Sequence, residues 1–238
     1  MNLILFNEND YCGVNRICLH DRRHQHIAEV HRAQPDSLLR VGQINGLSGS
    51  GQVISIDDQQ VTLQISLIQP PPAALPLTLL LALPRPKMLK RILQTISTMG
   101  VKELYLLNSY RVDKSYWSSP LLTETAINEQ LQLGLEQALD TQMPNVHIRK
   151  RFKPFVEDEL PAICANTRGL VAHPYHAIDC PEATLTPTTL AIGPEGGFIP
   201  YEIEKLEQAG LIPFHIGHRI LRVETAIPAV LSRLFPII

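Results

Sequence analysis

The sequence predicts an α/β protein of two parts: a small, mostly β module, then a larger domain built on a parallel sheet flanked by helices. Three observations predict it. Residues 38–68 alternate apolar and polar in short runs separated by turn formers. Consecutive prolines follow, and they deny hydrogen bonds to helix and strand alike. From Leu77 onward, fully apolar runs alternate with amphipathic ones, the pattern of strand–helix units that place a parallel sheet between helices. The expected boundaries are 1–69 for the β module, 70–76 for a proline-rich linker and 77–238 for the α/β domain.

In chain order, "HQHIAEVHRA" reads as a short helix. "LLRVGQI", "SGQVISI" and "QQVTLQISLI" read as strands parted by Asn45-Gly46, Gly49-Ser50-Gly51 and Asp57-Asp58. "LTLLLALP" suits a central strand buried on both faces. Pro86 then sits at the first position of a helix whose stripe is Met88, Leu89, Ile92, Leu93, Ile96 and Met99, with Gly100 closing it. "VKELYLL" is the next strand, and Ser119 with Pro120 is expected to open a long amphipathic helix. "VHIRKRF", "GLVAHP", "TLAIG" and "FHIG" supply further strands, and Pro200 opens the helix "YEIEKLEQAG". Thr225 is expected to cap the last helix, with Pro228 in its first turn. Ligands of such sheets bind at the loops after the strand C-termini.

Apolar residues make up 45% of the 238, enough for a core and too many for disorder. No apolar run spans a bilayer, and "MNLILFNEND" lacks the basic start and cleavage site of a signal peptide, so a cytoplasmic location is expected. Cys12, Cys18, Cys164 and Cys180 form no paired motif and are expected to be reduced. His20, His24, His26, His31, His173 and His176 lack a recognised zinc spacing, so no metal is expected. The net charge of −2 gives no whole-molecule attraction to nucleic acid, but Arg16–Arg32 and Lys150–Lys153 are locally basic and could meet phosphates.

Two loops carry the chemistry. "LAIGPEGGFIP" ends an apolar strand with three glycines and a proline around Glu195. Glycine lets a ligand lie directly against backbone amides, and Glu195 places an acceptor beside them. The stretch is neither a Walker loop nor GxGxxG, so it is not read as a phosphate cradle. "IGHRILRVETA" follows another short strand and presents Arg219 and Arg222 before Glu224-Thr225.

Together the loops resemble the SPOUT methyltransferases, and within them the RsmE-type family that methylates uridine N3 in bacterial 16S ribosomal RNA. The matching residues are Gly193-Pro194-Glu195-Gly196-Gly197-Phe198 and Gly217-x-Arg219-Ile220-Leu221-Arg222-x-Glu224-Thr225-Ala226, with Leu170–Pro174 as a further loop. The N-terminal "HIAEVHR" and "GQINGLSGSGQVISI" resemble the family's PUA-like RNA-binding barrel. The resemblance implies a deep trefoil knot whose loops hold S-adenosylmethionine (SAM), and a homodimer acting on ribosomal RNA of the small subunit. It implies SAM contacts at Ala172, His173, Pro174, Gly193, Pro194, Glu195, Gly196, Ile216, Gly217, Arg219, Ile220, Leu221 and Arg222. Arg222 is the candidate to stabilise a uracil anion, with Glu224 or Glu195 orienting it or taking the N3 proton. The amphipathic stretch Ile227, Val230, Leu231, Leu234, Phe235 is expected to supply part of the dimer interface.

The chain departs from the family pattern at Thr95 and Thr98, at Asn108–Arg111, and at Asp140, where the family carries a base. These departures leave open another ribosomal or transfer RNA target, or an RNA-binding protein that has lost transfer activity.

Overall fold

The computed structural model describes residues 1–236. The chain forms two compact units, Met1–Ala73 with Gln132–Met143, and Ala74–Leu131 with Pro144 onward. Gln132–Met143, inside the span the sequence assigns to the α/β domain, thus belongs to the first unit.

The first unit is one six-stranded sheet. Its strands are β1 (Ile4–Phe6), β2 (Tyr11–Gly13), β3 (Arg16–Leu19), β4 (Leu38–Gln43), β5 (Ser48–Ile56) and β6 (Val61–Gln69), in the order β1-β4-β5-β6-β3-β2. β1 runs parallel to β4, and every other pairing is antiparallel. Helix α1 (Arg22–Gln25) continues into a wider π-turn at His26–Val30. The pleat of β1 serves two cores: Ile4 and Phe6 join Ile17, Leu19, Ile27, Val41 and Leu63, while Leu3 and Leu5 pack on Leu135. Sequence reading anticipated β4–β6 but not β1–β3, whose runs are too short to show a period.

The basic stretch Arg16–Arg32 is largely spent internally. Both guanidinium nitrogens of Arg22 donate to the carboxylate of Glu136, at 3.0 and 2.5 Å. Arg23 pairs with Asp10 and Asp21 at 2.7 and 2.9 Å. Neither side chain is left for a phosphate. The Cys12 and Cys18 sulfurs lie 2.6 Å apart across the β2–β3 hairpin as free thiols, a pairing that spacing alone does not give. Burial, then the Cys18 neighbour, pushes the Cys12 thiol up to about 11.

The second unit holds a seven-stranded sheet, entirely parallel. Its elements are β7 (Leu77–Ala82), α2 (Pro86–Thr98), β8 (Glu103–Leu107), α3 (Glu124–Ala138, of which Gln132 onward lies in the first unit), β9 (Asn145–Arg149), α4 (Phe152–Pro154), α5 (Leu160–Cys164), β10 (Arg168–Ala172), β11 (Ile178–Asp179), β12 (Thr188–Ile192), α6 (Pro200–Gln208), β13 (Ile212–His215) and α7 (Val223–Leu234). Strand order is β11-β13-β10-β12-β7-β8-β9. The chain builds outward from β7 to β9 and then continues on the other side of β7. β12 finally takes the place between β10 and β7, so strand order reverses at β7.

β7 is apolar throughout except Thr78, with Leu79, Leu80 and Leu81 fully buried, as a central strand covered on both faces requires. Pro86 starts α2, and Gly100 at φ +78° ends it, with Val101 N–H donating to the Ile96 carbonyl at 3.0 Å.

Three local expectations are corrected. Ser119 caps only a single 3₁₀ turn, Pro120–Leu122; α3 begins at Glu124, where the Thr123 hydroxyl accepts from Ala126 N–H. α7 begins at Val223 with Arg222 as its cap residue, so Thr225 is already helical and Pro228 lies inside the helix. Finally, Ile227, Val230, Leu231, Leu234 and Phe235 are all buried within this one chain, where α7 packs on α2. They are core residues and cannot face a second copy. Among the described residues no helix is long and apolar enough to cross a membrane.

Candidate active site at the glycine loops

Parallel pairing brings one row of residues level across the second unit: Phe214, Ala172, Ile192, Leu81, Leu106 and Ile148. Every strand leaves the sheet just past this row on the same side. The loops that begin at His173, Gly193 and Ile216 are therefore neighbours, because β13, β10 and β12 are adjacent strands. A backbone bond from His173 N–H to the Phe214 carbonyl, 2.9 Å, ties the first to the third.

The middle loop is a tight turn in which Gly197 N–H donates to the Pro194 carbonyl at 2.7 Å. Gly197 sits at φ +72° and Gly217, in the third loop, at φ +134°, conformations that side chains rarely adopt. Among the described residues, no atom beyond the two adjoining residues lies within 4 Å of where a Cβ would stand at either position. Gly193 is a different case: a Cβ there would lie 3.0 Å from Phe198 N and 3.2 Å from its ring. Glycine therefore serves two ends here, permitting the turn and leaving open backbone for a ligand.

Glu195 has a partner within the fold. Its carboxylate accepts from Arg85 N–H at 3.1 Å, with the Arg85 Nε 3.9 Å away. It thereby joins the β12 loop to the start of α2, across the point where strand order reverses. Arg111 donates to the Gly196 carbonyl from the other side. Glu202, 3% exposed, binds two backbone donors: Tyr110 N–H at 2.7 Å and Ile199 N–H at 3.0 Å. Arg85 and Glu202 were not selected from sequence, while Tyr110 and Arg111 lie in the Asn108–Arg111 departure but were given no role there. The spacing Ile199-Pro200-x-Glu202, a proline at helix position one and a glutamate at position three, was the available signal for Glu202. Glu202→Ala is expected to cost about 2–4 kcal/mol in denaturant unfolding, because two donors lose a charged acceptor. Glu202→Gln, which keeps one acceptor, should lose less.

Arg222 and Arg219 are exposed and Glu224 is half-buried in the first turn of α7. Among the described residues, none of the three side chains has an ion-pair partner. The Arg222 carbonyl accepts from Thr225 and Ala226 N–H at 2.9 and 2.7 Å, so its backbone is fixed while its guanidinium is available. The structure thus brings Ala172, His173, Gly193–Gly196, Ile216 and Gly217 to one edge; Arg219–Arg222 lie on the loop that continues from there.

Burial pushes the His173 imidazole below the usual histidine value, and His176 adds to the shift. A depressed value means the fold favours the neutral ring. That contribution is complete above the unfolded histidine value and is lost as pH falls from there through the lower folded value. His173→Gln should therefore flatten the acid side of a melting-temperature profile below the ordinary histidine value of about 6.5.

Of the departures noted in the sequence, Thr95 and Thr98 bond back to the Arg91 and Gln94 carbonyls within α2, at 3.0 and 2.8 Å. Asp140 is buried in the first unit and accepts from Gln142 N–H at 2.9 Å. Only Asn108–Arg111 touches the glycine loop.

An all-parallel sheet whose loops meet at one edge, with backbone opened by glycine and a cation nearby, is an α/β fold with its ligand site at the strand C-termini. The RNA methyltransferase domain model matches residues 71–235, and the chain belongs to that family. A relative from Treponema pallidum, ribosomal RNA small subunit methyltransferase E, is 28% identical over 232 residues, covering 95% of this chain and 87% of its own. A second, ribosomal RNA small subunit methyltransferase E 1 from Borreliella burgdorferi, is 23% identical and covers 95% and 94%. The fold is shared with a Neisseria gonorrhoeae ribosomal RNA small subunit methyltransferase E solved with S-adenosyl methionine. That comparison gives a TM-score of 0.74 at 18% identity, covering 98% of each chain. A Legionella pneumophila protein solved with SAM gives 0.76 at 22%, covering 97% and 95%.

Proposed function

We propose that this protein methylates N3 of a uridine in 16S ribosomal RNA, using SAM held at the three loops after β10, β12 and β13. The observation that carries the reading is their meeting at one sheet edge, with open space beyond the Cα of Gly197 and Gly217. Such a cradle suits a ligand recognised through backbone groups, and the names of the Treponema and Neisseria relatives supply its chemistry. The residues to hold SAM are Ala172, His173 and Pro174, Gly193–Gly196, and Ile216–Arg222. When bound, SAM supplies a methyl group on a positively charged sulfur.

Uracil N3 carries a proton at neutral pH, so the acceptor must be prepared. Arg222 stabilises the negative charge that spreads onto the uracil oxygens as that proton leaves. Glu224, two residues on, takes the proton. Glu195 is left out of the chemistry: its carboxylate is occupied by Arg85, and it holds the loop in place. The placement of β12 between two strands that precede it in the chain supports the reading of a trefoil knot. The curled six-stranded sheet supports a PUA-like RNA-binding role for the first unit. The enzyme works in the cytoplasm as a homodimer, through a surface other than the buried stripe of α7.

A second reading, another ribosomal or transfer RNA site, is favoured by one observation: the altered loop Asn108–Arg111 is the departure that reaches the glycine turn. Nucleoside mass spectrometry of separated ribosomal and transfer RNA, with and without the gene, tests both. Loss of N3-methyluridine from 16S RNA on deletion is the expected result. Unchanged 16S RNA with a methyl mark missing elsewhere would move the assignment to the second reading.

A further inference from the structure

The loops after β7, β8 and β9 leave the same edge of the sheet as the cofactor loops, and nothing in the chemistry above uses them. The β8 loop is held by three bonds to other segments and one of its own. Asn108 N–H donates to the Arg149 carbonyl at 3.0 Å, Val112 N–H to the Ser109 carbonyl at 3.0 Å, and Tyr110 N–H to Glu202 at 2.7 Å. Arg111 clamps the loop onto Gly196. From this rigid turn the Tyr110 side chain stands 80% exposed. A large ring held out by a fixed backbone costs little entropy to bind against and has no packing role of its own. On either side stand exposed cations: Lys87 at the start of α2, Lys114 beyond the turn, and Lys150-Arg151 after β9. Among the described residues, none of these four has a hydrogen-bond or ion-pair partner.

We infer that Tyr110 is a stacking platform for an unpaired base of the RNA, on a track whose phosphates meet the Lys87, Lys114 and Lys150-Arg151 loops, and which delivers the neighbouring uridine to the glycine turn. The chemistry selects single-stranded RNA. A tyrosine face stacks on any base that is not already stacked, and spaced cations match a phosphate backbone. The inference rests on the proposed function and adds its acceptor side. It also gives the Asn108–Arg111 departure a use: Arg111 braces the glycine turn while Tyr110 changes what lies beside the cofactor.

The test is anisotropy of a fluorescein-labelled single-stranded oligouridylate with the full chain, its Tyr110→Ala and Tyr110→Phe variants, and the double variant Lys150→Ala/Arg151→Ala. Tyr110→Ala should weaken binding about five- to 150-fold, the range of one base–aromatic stack, while Tyr110→Phe stays within about twofold. The double variant should lower the slope of log affinity against log salt by about 1.4, two phosphate contacts on a single strand. Three outcomes would overturn the inference: wild-type affinity in Tyr110→Ala, equal loss in Tyr110→Phe, or a change of oligomeric state in light scattering when Tyr110 is removed. S-adenosylhomocysteine binding, measured alongside, separates the two levels. Its absence from the wild-type chain speaks against the proposed function, whereas the Tyr110 series speaks only to the RNA track.

Discussion

Arg222→Ala is expected to lower the rate constant for methyl transfer about 10²- to 10³-fold, the usual cost of removing one group aimed at developing negative charge. Affinity for S-adenosylhomocysteine should change only a few-fold. The contrast follows from where Arg222 sits. Its backbone caps α7 and is fixed by two N–H donors, so replacing the side chain leaves the loop in place. Its guanidinium has no partner among the described residues, so no internal ion pair is broken. The loss should therefore fall on the reacting complex. A pH profile separates this from a general loss of binding. The cation matters because it favours the uracil anion; as pH rises the anion forms without help, and the deficit of the alanine variant should shrink. A deficit that stays constant with pH would mean that Arg222 only positions the RNA. Arg222→Lys, which keeps a charge but not the planar fork, should fall between the two.

Gly193→Val should abolish cofactor binding and lower stability together. A Cβ at residue 193 would stand 3.0 Å from the Phe198 backbone nitrogen and 3.2 Å from its buried ring. Valine adds two branches to that crowded space. The turn must open or Phe198 must leave the core, at about 1–3 kcal/mol for forced overpacking. Calorimetric titration with S-adenosylhomocysteine should then show at least a tenfold weaker affinity, about 1.4 kcal/mol. Gly197→Ala provides the control. Its Cβ would enter open space, but the backbone at φ +72° would cost roughly 1–2 kcal/mol of strain. If valine at 193 disturbs neither stability nor binding, the turn is not packed as described.

The α/β character was legible because the second unit states each element twice, by period and by punctuation. β7 is almost unbroken leucine, Pro86 opens α2 and Gly100 closes it, and the glycine turn follows β12 directly. The first unit was legible only where strands are long. β1–β3 hold three or four residues each, too few to display an alternation, and β1 and β3 join the sheet through strands far along the chain. Helix ends went astray where a capping residue had a competitor: Ser119 does cap, but a 3₁₀ turn comes before α3. The α7 stripe illustrates a deeper limit. Periodicity shows that a face is apolar, not whether the core or a second copy covers it, and here the core does.

At the site, the glycines and Arg222 could be found because their residue types are unusual for their positions. Glu195 was found for the same reason, and the structure adds a contact that the sequence did not show. Its partner is Arg85, 110 positions away in sequence, and no local pattern reports that hydrogen bond. Tyr110 and Arg111 were visible only as part of the Asn108–Arg111 departure and had no role until the sheet placed that loop against Gly196.

The central claim is that the loops after β10, β12 and β13 bind one SAM molecule through glycine-opened backbone. Calorimetric titration of the purified chain with S-adenosylhomocysteine tests it most directly. The account predicts saturable binding of one molecule per chain, lost in Gly193→Val and retained in Arg222→Ala. A wild-type chain that gives no saturable heat, or a Gly193→Val chain that binds as well as wild type, would contradict it.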